Sequence, residues 1–222
     1  MTPPISLHTA IAPVARAGLD ELDEDRAGPA LRPFDHARAE RAVRELLLAF
    51  GEDPAREGLR DTPARVARAF AELTAGLRDD PGRHLARVFA EGTDELVVVR
   101  DIGFHSLCEH HLLPFSGRAH VAYLPAEGRV VGLSKLARTV EVLARRPQVQ
   151  ERLTAQIADA IAHHLGAGAV GVQLESTHLC MTVRGVRQPE ATMTTVAWRG
   201  AWRSDAAARA EVAALLRQRG GA

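Results

Sequence analysis

Hydrophobic positions along this chain recur first at helical spacing, then crowd into short β-branched runs, and then return to helical spacing. From Asp35 the stripe Val43, Leu46, Leu47 and Phe50 predicts an amphipathic helix. After the loop "GEDPAREGLR" a second helix begins, with Thr62 able to cap, Pro63 suited to the first turn, and Val66, Phe70 and Leu73 inward. Past Gly92 the pattern changes: "ELVVVRDI" and "GRAHVAYLPA" are short, rich in β-branched residues and bounded by Gly or Pro, which predicts two strands.

Two helices follow. Ser134 opens one with Leu136, Val140 and Leu143 inward, and Pro147 opens another with Leu153, Ile157 and Ile161 inward. "AVGVQLESTHLCMTVRG" and "ATMTTVAWRGAW" then read as two further strands, and residues 204–219 as a terminal helix. The order helices, ββααββ, helix predicts an α+β fold with an antiparallel sheet. Residues 1–34, with the acidic cluster "LDELDED" and little periodicity, read as a flexible N-terminal extension to which no chemistry is assigned. The domain reading is therefore this extension, a helical region over 35–90, and an α+β domain with its terminal helix over 91–222.

Composition narrows the function classes. With 222 residues, 46% of them hydrophobic, the chain can bury a real core, and 28 basic residues balance 28 acidic ones. A net charge of zero provides no global field toward nucleic acid or a membrane surface, so an anionic ligand has to be met by local cations. Nearly all the cations are arginine; Lys135 is the one lysine, a compact and titratable charge where arginine would offer a planar fork. Two widely separated cysteines, no signal-peptide pattern and no apolar run of membrane-spanning length indicate reduced thiols in a cytoplasmic protein.

The candidate chemistry lies in "SLCEHHLLPF", between the first two strands. Cys108 and His111 at spacing i, i+3 share one side of a helical turn, while His110 projects elsewhere. The other thiol, Cys180, lies at "THLC" in a predicted strand, and Cys, His and Cys would make the three protein ligands of a catalytic zinc with a fourth position left for water. Two buried free cysteines packed as small hydrophobes are the plain alternative, and spacing alone leaves both readings open. The Pro-Cys-x-x-Cys pattern of zinc deaminases is absent, because Met181, Thr182 and Val183 follow Cys180. Ser134, Lys135 and Arg138 gather at one helix N-terminus, where backbone N–H groups and the helix dipole also favour an anion such as a phosphate chain; an ordinary solvated helix face would look the same.

Three long stretches, "FHSLCEHHLLPFSGRAHVAYLP", "VVGLSKLARTVEVLARRPQVQERLT" and "STHLCMTVRGVR", closely resemble GTP cyclohydrolase I of the zinc-dependent type, in the same order and over residues from about 40 to the end. The resemblance implies zinc on Cys108, His111 and Cys180, with water as the fourth ligand and nucleophile. It implies GTP as substrate, water adding at guanine C8, release of formate, an Amadori-type rearrangement and closure to 7,8-dihydroneopterin triphosphate, the entry to folate and pterin synthesis, with no nicotinamide or flavin. His178 matches the proton donor to the purine nitrogen, His110 the residue relaying protons near the ribose, and Ser134 a group assisting at the ribose. Glu151, with Gln150 beside it, matches the position that grips the guanine edge. Lys135, Arg138, Arg184 and Arg65 match the cations for the triphosphate.

The resemblance also implies a tunnelling fold, two antiparallel helices on a four-stranded antiparallel sheet, and a decamer of two pentamers with active sites at subunit borders. Two other readings compete: a tunnelling-fold relative of the nitrile-reductase kind, with a cysteine nucleophile and no zinc, and a non-catalytic zinc-stabilised binding module. The full Cys, His, Cys set together with His110, His178 and Lys135 favours the cyclohydrolase over both.

Overall fold

The computed structural model describes residues 32–218; the acidic cluster and most of the expected extension lie outside the described residues. Helix α1 (His36–Ala49) starts where the Asp35 carboxylate accepts from the Arg38 amide at 2.9 Å. Its apolar stripe is narrower than expected. Only Leu47 is buried, while Leu46 and Phe50 are 52% and 68% exposed, because α1 packs on helix α2 (Thr62–Leu73) and makes no broad contact with the sheet. Pro63 stands in the first turn of α2 as expected, but Thr62 does not cap it: Asp61 takes the N-cap position without a side-chain cap bond and pairs with Arg65 instead.

A short helix α3 (Gly82–Leu85) leads into strands β1 (Val88–Ala90), β2 (Val97–Cys108), β3 (Pro114–Leu124) and β4 (Arg129–Val131). Helix α4 (Leu133–Ala144), strand β5 (Pro147–Gln148), helix α5 (Gln150–Leu165), strand β6 (Ala169–His178), the one-turn helix α6 (Leu179–Thr182), strand β7 (Met193–Gly200) and helix α7 (Ala206–Arg217) complete the described chain. The main sheet has the order β5-β2-β3-β6-β7, and its four long strands are antiparallel, whereas β1 pairs only with β4. The fold is mixed α+β. The structure adds to the pattern read in the sequence: helix α3 and the β1–β4 pair were not expected, a fifth strand in the main sheet, β5, pairs parallel to the end of β2, and α5 therefore begins at Gln150, three residues after Pro147, whose backbone is held against Leu107.

Alternation along β3 separates the two faces of the sheet. Phe115, Val121 and Tyr123 point to the side covered by α4 and α5, where Leu136, Val140, Leu143, Leu153, Ile157 and Ile161 meet them as expected. On the opposite face Ala122 and Ala169 pack beneath Trp202, from the short turn Ala201–Arg203, and Val212 and Leu216 of α7, which Asp205 caps by accepting from the Ala208 amide at 3.0 Å. No helix of the described residues is long and apolar enough to cross a membrane.

Close strand approach makes one glycine indispensable. A Cβ on Gly117 would lie 1.8 Å from the Glu175 carbonyl oxygen of the adjacent strand, a backbone atom that cannot swing aside. Gly117→Ala should cost about 1–3 kcal/mol, the usual range for overpacking a closed interior, read as a lower urea midpoint than wild type. An unchanged midpoint would mean that β3 and β6 can part locally without loss.

Candidate metal centre and substrate site

Strand β2 ends on Cys108, and residues 109–113 turn the chain back into β3. The turn is closed by the Leu112 amide donating to Cys108 O at 2.8 Å and the Cys108 amide donating to Leu113 O at 2.9 Å, with Leu112 at a φ of 54°. The far half of the site comes from β6, whose last residue, His178, pairs with Phe115 at the start of β3. Contrary to the strand that the sequence pattern predicts for "THLC", Cys180 does not continue β6. Pairing of β6 to β7 stops at Ser176, and the chain then coils into α6, where Val183 N donates to Leu179 O at 3.0 Å. This coil departs from strand alternation and carries the second thiol to the first.

One potential ligand atom from each of Cys108, His111 and Cys180 lies within 4.8 Å of the other two, and His111 presents Nδ1 3.8 Å from the Cys108 sulfur. A tetrahedral zinc with bonds of about 2.0–2.3 Å separates its ligand atoms by roughly 3.6 Å, so the three residues fit that ion with small adjustments. Cys108 is buried, Cys180 half-buried and His111 exposed, which leaves the group open on one side. Burial first, and the adjacent Cys108 thiol second, push the Cys180 thiol above its usual range, so a cation that binds there has to displace a proton.

His110 stands at the rim, with a side chain 64% exposed and its ring edge-on to that of His111. It has not turned away from the group entirely, because its Nδ1 lies 4.0 Å from the Cys108 sulfur. His178 occupies a contrasting environment. Its ring stacks on Phe115 with centroids 4.4 Å apart and planes 4° apart, and its Nε2 lies 2.9 Å from Gln150 Oε1. Burial pushes its pKa below the ordinary histidine value, partly opposed by the Glu151 carboxylate. Glu151 itself is exposed in the first turn of α5, whereas Gln150 before it is 1% exposed.

The expected cations divide into groups. Arg184 lies beside the thiol and imidazole pair, donating to Cys180 O at 3.0 Å with Nη1 3.4 Å from His111 Nε2. Ser134, Lys135 and Arg138 occupy the opening turns of α4, where Gly132 is the N-cap residue and no side chain caps the helix. Arg138 lines a cleft of about 330 Å³ shared with His84, Glu141 and Arg145. Arg65 projects from α2, paired with Asp61 at 3.1 Å.

Two contributors were not singled out in the sequence. Phe115 lies in the quoted "LLPF", yet only the β3–β6 register places its ring against His178. Glu109 accepts from Arg152, which holds its carboxyl below the usual range, and Arg152 Nε also donates to Gln148 Oε1 at 3.0 Å. These bonds tie the Cys108–His111 turn to the start of α5, and no sequence spacing signals a contact between residues so far apart.

The sequence profile described as GTP cyclohydrolase I matches residues 39–217. Proteins named GTP cyclohydrolase 1 are similar over most of the chain: that of Rhodopirellula baltica is 63% identical over 182 residues, 82% of this chain and 79% of its own. That of Corynebacterium aurimucosum is 61% identical over 190 residues, 85% of this chain and 97% of its own, and that of Mycobacterium marinum 56% over 199 residues, 89% and 98%. Among solved structures, the archaeosine synthase QueF-Like in the apo form aligns with 49% of this chain and 96% of its own at a TM-score of 0.41 and 18% identity, too remote to bear on the site. A family profile that spans nearly the whole described chain, and relatives well over half identical across four-fifths of it, make this chain a member of the GTP cyclohydrolase I family.

Proposed function

We propose that this chain converts GTP to 7,8-dihydroneopterin triphosphate with release of formate, the first step of tetrahydrofolate and pterin biosynthesis. The observation that carries this reading is the Cys108, His111, Cys180 group, open on one side, in a chain of the GTP cyclohydrolase I family. Cys108, His111 and Cys180 would hold zinc. When bound, the metal supplies Lewis acidity that lowers the pKa of a water toward neutrality.

The remaining work falls to the chain's own side chains. His178, whose imidazole is half-buried against Phe115, can take a proton as water adds at guanine C8 and pass it to the purine nitrogen. His110, exposed at the rim, suits proton relay near the ribose, and Ser134, whose hydroxyl is not spent on capping α4, suits the later rearrangement there. The Glu151 carboxylate can accept from the guanine ring N–H and from the exocyclic amine, a donor pair that adenine lacks. Lys135, Arg138, Arg184 and Arg65 supply positive charge for the triphosphate.

Arg65 on α2 and Arg138 on its own cleft are not gathered around the thiols as Arg184 is, and Leu133, Val183 and Val186 expose apolar side chains at 61–66%. Both observations support a site completed by a neighbouring subunit in a decamer of two pentamers built on the tunnelling fold, with residues 91–222 as the catalytic domain and 35–90 as its helical companion. The balanced charge and two free cysteines support a cytoplasmic enzyme without nucleic-acid or membrane partners.

Metal-loaded protein incubated with GTP should release formate and yield a pterin that fluoresces after oxidation; neither product, with zinc confirmed bound, would sink the reading. Cys180→Ser should lose zinc by elemental analysis, whereas His178→Ala should retain zinc and lose turnover, and the reverse pattern would refute the ligand assignment. Glu151→Gln should lower kcat/KM for GTP by about 10–100-fold, the size of a charge-assisted hydrogen bond, in steady-state kinetics.

A further inference from the structure

Gln150 is fully buried, and both ends of its amide are engaged by the protein. Its Nε2 lies 3.2 Å from Leu174 O, 3.0 Å from Met193 O and 3.1 Å from Thr195 Oγ1. The two backbone oxygens can only accept, so the amide nitrogen has to face them; the flipped amide would bring its own oxygen against both. Oε1 is thereby turned to Ser176 Oγ at 2.6 Å and His178 Nε2 at 2.9 Å. A carbonyl oxygen donates nothing, so His178 Nε2 has to carry a hydrogen. In the neutral ring that leaves Nδ1 with the lone pair, and Nδ1 has no hydrogen-bond partner among the described residues. The stack on Phe115 fixes the plane of the imidazole, and the bond to Gln150 fixes its rotation within that plane.

We propose that Gln150 is a positioning residue whose buried amide holds His178 as the Nε2–H tautomer, leaving Nδ1 as the nitrogen that exchanges a proton with the substrate. The inference rests on the GTP reading above and deepens it. As a C–O bond forms at guanine C8, Nδ1 takes the proton that water loses and delivers it to the ring nitrogen whose double bond to C8 breaks. The imidazole returns to neutrality with its Nε2–H bond to Gln150 intact. Gln150 thus acts behind His178; the resemblance had placed it at the guanine edge, which its burial and full complement of internal bonds argue against.

The test combines spectroscopy with kinetics on the zinc-loaded full chain. Solid-state NMR of ¹⁵N-histidine-labelled protein, with His178 identified by its loss in His178→Ala, should show Nε2 protonated and Nδ1 bare. Gln150→Met should populate both tautomers and lower kcat by about 10–100-fold, the usual cost of removing an outer partner of a reacting group, with zinc content unchanged and KM for GTP within about threefold. Ser176→Ala, which removes only the other donor to the same oxygen, should keep kcat within about threefold of wild type. A wild-type ring protonated at Nδ1 would overturn the proposal. So would a Gln150→Met variant whose KM rises at unchanged kcat, since that result means contact with guanine, or an equal kcat loss in Ser176→Ala. If Gln150→Met does not fold, the wild-type spectrum decides alone. A wild-type protein inert toward GTP would instead refute the proposed function and leave the tautomer readable.

Discussion

The antiparallel ladder between β3 and β6 is the constraint on which the site depends. Phe115 at the start of β3 is paired with His178 at the end of β6, while the turn from Cys108 leads directly into that same end of β3. Residues some seventy positions apart in sequence therefore arrive at the same end of the sheet's interior strands. Because side chains alternate with a period of two, a slip of one residue in this ladder would send the His178 ring to the other face and dismantle the stack on Phe115. The large apolar side chains under α4 and α5 oppose such a slip, since it would expose Val170, Val172 and Leu174 together. Core packing and site geometry are in this sense the same restraint.

A second tie runs through the start of α5. Leu107 and Cys108 pair with Pro147 and Gln148, the Gln148 amide reaches Leu143 O and Gln156, and Arg152 bridges to Glu109. Inside, Gln150, Thr154, Ser176 and Thr195 form a bonded cluster, and every buried side-chain nitrogen and oxygen of the described residues has a partner. Leaving any one of these groups unpaired would cost about 1–3 kcal/mol, so the cluster tolerates few alternative arrangements. One residue further, Glu151 emerges into solvent in a position that Gln150 has already determined.

Environment distinguishes the two non-ligand histidines more than chemistry does. His110 is solvated at the rim, while His178 is desolvated against Phe115 and held by an amide oxygen. The same imidazole is thereby suited to exchange with bulk water in one place and to a directed proton transfer in the other. Electrostatics follow a similar logic: the chain has no net charge, and what cationic character the site has comes from particular side chains such as Arg184.

Local pattern determined the elements that local physics controls. The helical stripes of α4 and α5, the β-branched strands, the pairing of Cys108 with His111 over one turn and the long motifs that carry the family resemblance were all legible in the sequence, because each depends on neighbours within a few residues. The tertiary structure decided what depends on partners far along the chain. It showed that Cys180 leaves β6 for a helical turn, that β5 delays the start of α5, that α1 leaves Leu46 and Phe50 exposed, and that Phe115 and Gln150 hold His178 between them. A ring stack or a buried amide's choice of partners has no sequence spacing to announce it, since strand register and the burial of unlike groups together arise only when the whole sheet closes.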